Sequence, residues 1–220
     1  MIGYHPDHCP FCGATSDNFI TAKDCSQNYE VVSTKVNDKV KRLNSVPSLG
    51  LEHAAYSIKT DNSLIWIDCP SSFNEGLETM DKIIFTHHHF LGASNLYRSH
   101  YTAFIWIHLK DSEHYIARKH PFDNKFENNF NIKGIESFHI NGHTPGFTFY
   151  IFEDVLFVCD YLIPRKDSLI FNPYGPANPT KENAKDLKKI VEERNLNKVC
   201  GYNYVLDFPF WKEKFDLLCP

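Results

Sequence analysis

Short apolar runs that end in polar side chains are the feature that most constrains this sequence. Residues 82–86 (KIIFT) lead directly into three histidines at 87–89, and residues 155–159 (VLFVC) lead into Asp160. Runs of this length, bounded by turn residues and rich in Ile, Val and Phe, are typical of buried β-strands. Side chains that follow such strands gather at a sheet edge, where loops on a rigid framework carry functional groups. The sequence therefore predicts a sheet-based fold with a site along one edge.

The remaining apolar patterns predict both strands and helices. Two pairs of apolar runs joined by short polar turns predict β-hairpins at residues 54–68 and 147–160. Residues 180–195 predict a helix with Thr180 as its N-cap, and residues 111–119 predict a shorter polar helix. The apolar stripe of the longer helix comprises Ala184, Leu187, Ile190 and Val191. Strands interspersed with helices predict an α/β protein whose sheets are covered by helices.

Length, charge and composition bound the class of protein. A chain of 220 residues with 42% hydrophobic and 15% aromatic residues is expected to be globular. Its net charge of -4 gives no reason to expect a nucleic-acid or acidic-membrane partner. The small-molecule substrate that we expect belongs to the hydrolase hypothesis given below. We find no apolar N-terminal stretch typical of a signal peptide and no run long enough to span a bilayer. We therefore expect a cytoplasmic protein, and the oligomeric state stays open.

Three histidines and one aspartate are predicted to form a metal site. Residues two apart in an extended segment face the same way, so His87 and His89 can reach one ion while His88 faces away. His143 lies in a G-H-T-P-G turn, whose glycines allow tight backbone geometry. Asp160 ends a buried strand, where an unpaired carboxylate is costly. Three imidazoles and one carboxylate suit zinc or iron. The alternative is that these are surface histidines and an ordinary aspartate at a strand end. It does not explain why two turns at strand ends each place a histidine where a ligand would fit.

The order of these motifs resembles that of the metallo-β-lactamase superfamily. The matching segments are T-H-H-H at 86–89, G-H-T-P-G at 142–146, L-F-V-C-D at 156–160, and the similar strand L-I-W-I-D at 64–68. The resemblance covers residues 51–220. It implies an αββα sandwich with the metal site along one edge. It also implies that His87, His89 and His143 bind the first metal of the superfamily and that Asp160 bridges two metals.

The departures from the superfamily motif T-H-x-H-x-D-H concern the second metal. Its aspartate and histidine fall on Leu91 and Gly92, and Tyr202 and Asn203 stand where the last histidine is expected. Side chains of Leu and Gly offer no ligand atoms. The sequence therefore predicts one ion at this site and not two. Hydrolysis, if present, is expected to depend on the water bound by that single ion.

Other polar residues near these motifs are candidates for supporting roles. His53, Asp68 and Tyr202 are candidates for handling protons or for orienting the ligands, and the sequence equally allows each to be an ordinary hydrogen-bonded loop residue. Cys159 precedes Asp160 in an extended strand, so its side chain is predicted to point away from the metal. We therefore interpret Cys159 as a small buried hydrophobe.

A C-P-x-C-G turn near the N-terminus indicates a second, structural metal ion. Cys9 and Cys12 can present two thiolates to one zinc or iron, as in a rubredoxin or zinc-ribbon knuckle. Cys25 is the expected third ligand, and His8 or His5 the fourth. One C-x-x-C pair is also compatible with redox or merely structural cysteines.

The N-terminal cysteines suggest a division of the chain into two parts. Residues 1–30 are predicted to form a short metal-stapled arm, since they have little apolar pattern of their own, and residues 31–220 the main domain. The main hypothesis for function is a metal-dependent hydrolase acting on a small ester or thioester. The alternatives are an iron-dependent redox or oxygen-handling protein and a non-catalytic metal-binding protein with a vestigial second site.

Overall fold

A computed structural model describes residues 7–9, 13–50 and 52–219 of the protein. A first sheet contains seven strands whose spatial order follows the chain. Its strands are β1 (Glu30–Lys35), β2 (Val40–Val46), β3 (Ala55–Lys59), β4 (Leu64–Ile67), β5 (Lys82–Ile84), β6 (Phe104–His108) and β7 (Asn124–Phe126). The first four are antiparallel neighbours, and β4 to β7 run parallel. The helices of this half are α1 (Ala22–Asn28), α2 (Ser94–Tyr101) and α3 (Leu109–Ser112).

A second sheet of six strands and a separate two-stranded ribbon complete the fold. In chain order the strands are β8 (Asn131–Ile132), β9 (Ile135–His139), β10 (Thr148–Phe152), β11 (Val155–Cys159), β12 (Leu162–Pro164), β13 (Leu169–Phe171), β14 (Lys198–Gly201) and β15 (Val205–Asp207). The sheet has the order β15-β14-β11-β10-β9-β8, while β12 and β13 form the ribbon. The helices α4 (Ala177–Glu192) and α5 (Phe208–Leu218) belong to this half.

Side-chain alternation along the strands places the two sheets between layers of helices. Tyr56 and Ile58 of β3 pack against Tyr150 and Phe157 of the second sheet, in a cluster between the sheets. Trp66 faces the opposite way and packs with Tyr97 of α2. On the outer face of the second sheet, the core contains Phe149, Leu156, Leu187 and Trp211, from β10, β11, α4 and α5. The predicted α/β class, with sheets covered by helices, is confirmed.

The predicted elements are present, with two corrections to the helices. Both hairpins form, as β3–β4 and β10–β11. The long helix begins at Ala177, and the predicted N-cap Thr180 lies inside it, where its Oγ1 donates a 2.7 Å hydrogen bond to the Pro176 carbonyl. The predicted helix at 111–119 is only the single turn α3, since the chain after it forms separate turns around the carbonyl of His114.

The described part of the N-terminal segment contacts the first half of the fold. Ser72 Oγ donates a 2.6 Å hydrogen bond to the carbonyl of Tyr29, and the amide of Phe73 donates to Ser26 Oγ at 3.2 Å. Cys25 is buried within α1. Strand β1 begins at Glu30, and the domain boundary expected there stays a prediction. Within the described ranges, no helix has both the length and the apolar character needed to cross a bilayer.

Candidate metal centre

The histidine run follows β5 and is held by a neighbouring strand-end aspartate. Thr86 Oγ1 lies 2.9 Å from Nδ1 of His87 and 2.9 Å from Oδ2 of Asp68. The Thr86 amide also donates to Asp68, at 2.9 Å. A hydroxyl that donates to a carboxylate can accept from the Nδ1–H group of the imidazole, which leaves Nε2 as a lone-pair donor. Asp68 and Thr86 thereby select the tautomer in which His87 can bind a metal through Nε2.

The four side chains predicted to bind a metal converge in the structure. One ligand atom each from His87, His89, His143 and Asp160 lies within 4.8 Å of the other three. Nε2 of His143 is 3.0 Å from Nδ1 of His89 and 3.2 Å from Oδ2 of Asp160. Nε2 of His87 is 3.5 Å from Oδ1 of Asp160, and these two buried atoms have no hydrogen-bond partner among the described residues. Such orphaned buried atoms are rare, and this donor set fits zinc or iron.

The protonation states of the histidines suit metal binding. Burial lowers the pKa of His87 well below 6.5, since it penalises the charged imidazole. Burial, together with the neighbouring His143, lowers the pKa of His89 to about 2. Both rings are therefore neutral at physiological pH. The neutral imidazole is the form that binds a metal.

Asp111, which the sequence did not single out, joins the two loops that carry the histidines. Its buried carboxylate accepts hydrogen bonds from the amide of His88 at 3.1 Å, from Thr144 Oγ1 at 2.8 Å and from the amide of Gly146 at 2.8 Å. Nδ1 of His88 also lies 3.3 Å from Asp111, so this ring contacts Asp111 and lies outside the ligand group. Asp111 thus fixes the His143 loop relative to the histidine run.

Cys159 does not point away from the site as predicted. Its Sγ lies 3.3 Å from Nδ1 of His53, and ligand atoms of these two residues and Asp160 lie within 4.8 Å of one another. The cause is an irregularity at the end of β11. The pairing with β14 shifts register between Phe157 and Cys159, and Cys159 has a φ of +44°. The irregularity breaks the strict alternation of side chains, so Val158 and Cys159 lie in the same hydrophobic cluster.

Two further side chains contact this part of the site. Asn172, which the sequence did not single out, donates a 2.7 Å hydrogen bond from Nδ2 to Oδ2 of Asp160 and so orients the carboxylate. His53 is buried, with Nε2 3.4 Å from Oδ2 of Asp160 and its ring stacked on Phe90. Burial lowers the pKa of His53 to about 4, against an opposing effect of Asp160. Neither Asn172 nor the stacking partner Phe90 has a sequence pattern that would have revealed its contact.

The residues at the positions of the second metal's expected ligands have structural surroundings of their own. Leu91 is buried in the cluster on the outer face of the first sheet. Gly92 has a φ of +53°, and a Cβ there would collide with the carbonyl oxygens of Pro70 and Cys69. Asn203 is exposed, and the ring of Tyr202 lies 5.5 Å from that of His53. A histidine at position 92 is therefore incompatible with the backbone of this structure.

The predicted N-terminal metal site is only partly described. Cys12 lies outside the described residues, as does His5. His8 pairs with Thr15 in an isolated antiparallel bridge. Among the described residues, the potential ligand groups within 4.8 Å do not include His8, Cys9 or Cys25. The site stays a prediction.

Comparisons with known proteins show the fold. No family model and no curated protein matches the sequence. The solved structure of VMB-1 is similar over 86% of this chain and 96% of its own, with 15% identity and a TM-score of 0.69. A metallo-beta-lactamase from Pontibacter korlensis is similar over 86% and 99%, with 14% identity and a TM-score of 0.66. An archaeal metallo-beta-lactamase superfamily protein from Sulfolobus tokodaii is similar over 75% and 79%, with 15% identity and a TM-score of 0.56.

Proposed function

We propose that this chain is a metal-dependent hydrolase that holds a zinc or iron ion between His87, His89, His143 and Asp160. The observation that carries the proposal is the convergence of three imidazole nitrogens and one carboxylate oxygen, from three separate loops, in a largely buried cluster. The similar structures named metallo-beta-lactamases support a hydrolytic reaction on this fold. As substrate class we propose a small ester or thioester.

The residues of the site have separable roles in this proposal. A bound zinc or iron ion supplies a Lewis acid and lowers the pKa of a coordinated water to near neutrality. The three histidines would hold the ion through imidazole nitrogens, and Thr86 with Asp68 keeps Nε2 of His87 available. Asn172 orients Asp160 through its 2.7 Å hydrogen bond. His89 is the least buried of the four ligands. We therefore propose that substrate approaches from the side of His89.

Metal content of the purified protein tests the ligand set. We expect His87→Ala and His143→Ala to lose one zinc or iron per chain relative to wild type, since each removes one of four donors. His100→Ala is the matched control, because His100 is exposed on α2 and lies outside the ligand group. If both site variants retain wild-type metal, the proposed ligand set is wrong.

Hydrolysis assays and a visible spectrum separate the proposal from its alternatives. We expect the purified protein to cleave activated esters or thioesters, to lose this activity when its metal is chelated, and to regain it when zinc or iron is added. His87→Ala is expected to stay inactive after metal is added. Metal-loaded protein that hydrolyses none of these substrates contradicts the proposed reaction. A visible spectrum of bound iron together with redox turnover supports the iron-dependent alternative.

We also propose a structural ion at Cys9, Cys12, Cys25 and His8. The support is the C-P-x-C-G turn, together with Cys9, whose carbonyl accepts a 2.8 Å hydrogen bond from the amide of Gly13. Cys9→Ser and Cys12→Ser should each lose one ion per chain, whereas Cys219→Ser, at the other end of the chain, should lose none. Unchanged metal content in both N-terminal variants excludes the site.

A further inference from the structure

We propose that Arg42 anchors a binding site for a small carboxylate in the cavity between β2 and the turn that joins β14 to β15. The cavity has a volume of about 140 Å³. Its lining includes Arg42 and Asn44 of β2, Ser48 and Glu52 of the segment that follows, and Tyr202 and Asn203 of the turn. None of the four proposed metal ligands is among the described residues that line it, so the site does not depend on the proposed function.

The alternation of side chains along β2 directs Arg42 towards the second sheet. Val40 packs in the cluster between the sheets, whereas Leu43 packs in the cluster on the outer face of the first sheet. Arg42 is two residues from Val40 and so shares its inward face. In register it lies opposite Tyr56, whose hydroxyl donates to the carbonyl of Gly201 next to the turn. The side chain of Arg42 therefore lies between the two sheets, at the edge where the turn approaches β2.

Arg42 carries a charge that no neighbouring side chain offsets. Its Nε is buried and has no hydrogen-bond partner among the described residues. None of the ion pairs that these residues form includes Arg42. A partly buried cation without a counter-charge is costly, because it loses hydration without gaining an attraction. The planar guanidinium matches the two oxygens of a carboxylate, so a carboxylate bound in the cavity would supply the missing partner.

Glu52 favours a ligand with a single negative charge. Among the described residues of the lining it has the only carboxylate, which accepts hydrogen bonds from the amide and hydroxyl of Ser45, at 2.8 and 2.7 Å, and from the amide of Ser71 at 2.8 Å. Its charge disfavours a phosphate group, with roughly 1.5–2 negative charges, more than a carboxylate. The competing explanation is that Arg42 and Glu52 offset each other across the cavity through water, without a ligand.

The size and polarity of the cavity limit the ligand to a small acid. A cavity of about 150 Å³ holds a molecule the size of benzene, so this cavity has room for a carboxylate with roughly three or four carbon atoms. Asn44, Ser48 and Asn203 offer amide and hydroxyl hydrogens around it. Butyrate is therefore a suitable probe, and butyramide is a neutral molecule of similar shape.

Ala54 and Tyr202 link this cavity to the surroundings of the metal centre. Both residues line the cavity, and the amide of Ala54 donates to the carbonyl of Tyr202. The ring of Tyr202 lies 5.5 Å from that of His53, which contacts Asp160. Two sources of the carboxylate fit this position. It belongs either to a free small acid or to the far end of a substrate whose ester passes Tyr202 to reach the ion.

An NMR titration of the nitrogen-labelled full-length protein with butyrate tests the site. We expect butyrate to shift the amide resonances of Ser48 and Asn203, and butyramide at the same concentration and ionic strength to leave them unchanged. Arg42→Gln should weaken butyrate binding by roughly 10–100-fold, since it removes charge-assisted hydrogen bonds. Arg118→Gln is the matched control, because Arg118 is exposed and lies outside the cavity lining.

Two further variants make the test independent of the folding of Arg42→Gln and of the metal. Asn203→Asp places a negative charge at an exposed position of the turn, so it should also weaken butyrate binding, and it decides the test alone if Arg42→Gln does not fold. His87→Ala should bind butyrate as wild type does, since Arg42 holds a carboxylate without the ion. Equal binding of butyrate and butyramide overturns the site. Wild-type butyrate affinity in Arg42→Gln and Asn203→Asp, or loss of binding in His87→Ala, also overturns it.

Two esters identify the source of the carboxylate, and this part of the test rests on the proposed function. The substrates are p-nitrophenyl butyrate and the p-nitrophenyl monoester of succinic acid, which carries a carboxylate. If Arg42→Gln lowers kcat/KM by roughly 10–100-fold for the charged ester alone, the site holds the end of a substrate. If Arg42→Gln loses butyrate binding yet hydrolyses both esters as wild type does, the site takes a free acid. If wild type hydrolyses neither ester, the proposed function fails while the binding result for Arg42 stands.

Discussion

Nε2 of His87 and Oδ1 of Asp160 lie 3.5 Å apart, yet they belong to different sheets of the sandwich. His87 follows β5 of the first sheet, and Asp160 follows β11 of the second. Hydrogen bonds join the sheets nearby. Tyr150 Oη donates to the carbonyl of Phe85, and the amide of Thr148 donates to the carbonyl of Thr86. An ion that binds ligands from both sheets would therefore stabilise their packing.

Zinc should raise the thermal stability of the protein for this reason. A ligand at 100 times its dissociation constant stabilises the folded state by about 2.7 kcal/mol, which corresponds to roughly 5–10 °C in Tm for a chain of this size. We expect this shift in wild type and in the control His100→Ala, and a much smaller shift in His87→Ala. Thermal denaturation followed by circular dichroism measures it. Equal shifts in His87→Ala and wild type would contradict a His87-dependent ion.

Asp111→Ala should weaken both the fold and the metal site. It leaves the buried amides of His88 and Gly146 without their acceptor, so we expect unfolding to become easier by roughly 2–4 kcal/mol. Metal affinity should fall by about 10–100-fold, as for other residues that orient ligands. Asp186→Ala, at an exposed position on α4, is the control and should change neither property. Chemical denaturation and zinc titration measure the effects. Wild-type zinc affinity in a folded Asp111→Ala protein would show that Asp111 does not position the ligands.

His120 should make the protein sensitive to acid. Its ring is buried against Ser94, and burial lowers its pKa from 6.5 to about 3. Between pH 6.5 and about pH 3, His120 binds a proton in the unfolded chain but not in the folded chain. The contribution of the buried, neutral His120 ring to stability is therefore fully present above pH 6.5 and is lost as the pH falls. The loss is about 1.4 kcal/mol per pH unit.

The variant His120→Gln removes this contribution. We expect its free energy of unfolding to approach or exceed that of wild type as the pH is lowered from 6.5 to 4. His100→Gln, at an exposed position, is expected to follow the wild-type profile. Urea denaturation at several pH values gives the comparison. A constant difference between His120→Gln and wild type across this range would mean that His120 does not titrate as the structure indicates.

Gly92→Ala should destabilise the fold by roughly 1–3 kcal/mol. The residue has a φ of +53°, and an added Cβ would collide with the carbonyl oxygens of Cys69 and Pro70. Gly76→Ala is the control, because its Cβ would meet only the side chain of Asn74, at 3.3 Å. Equilibrium unfolding of both variants tests the contrast. Equal stability of Gly92→Ala and wild type would show that position 92 can accept a side chain.

The sequence by itself determined the elements that depend on local periodicity and the identity of the candidate ligands. Apolar runs joined by short polar turns predicted both hairpins, and the apolar stripe around Leu187 predicted α4. The motifs around His87 and His143 predicted side chains that the structure brings together. These features follow from a few neighbouring residues, because strand and helix geometry set which side chains share a face.

Only the tertiary structure decided how the candidate ligands are supported and what lies beside them. Asp111 appeared to be a polar residue of a helix, but its partners Thr144 and Gly146 lie 33 and 35 residues away. Cys159 turned towards His53 because of irregular pairing between β11 and β14, which strand alternation could not reveal. Such contacts depend on how the two sheets pack and on where a strand departs from regular geometry, and neither is encoded in the spacing of nearby residues.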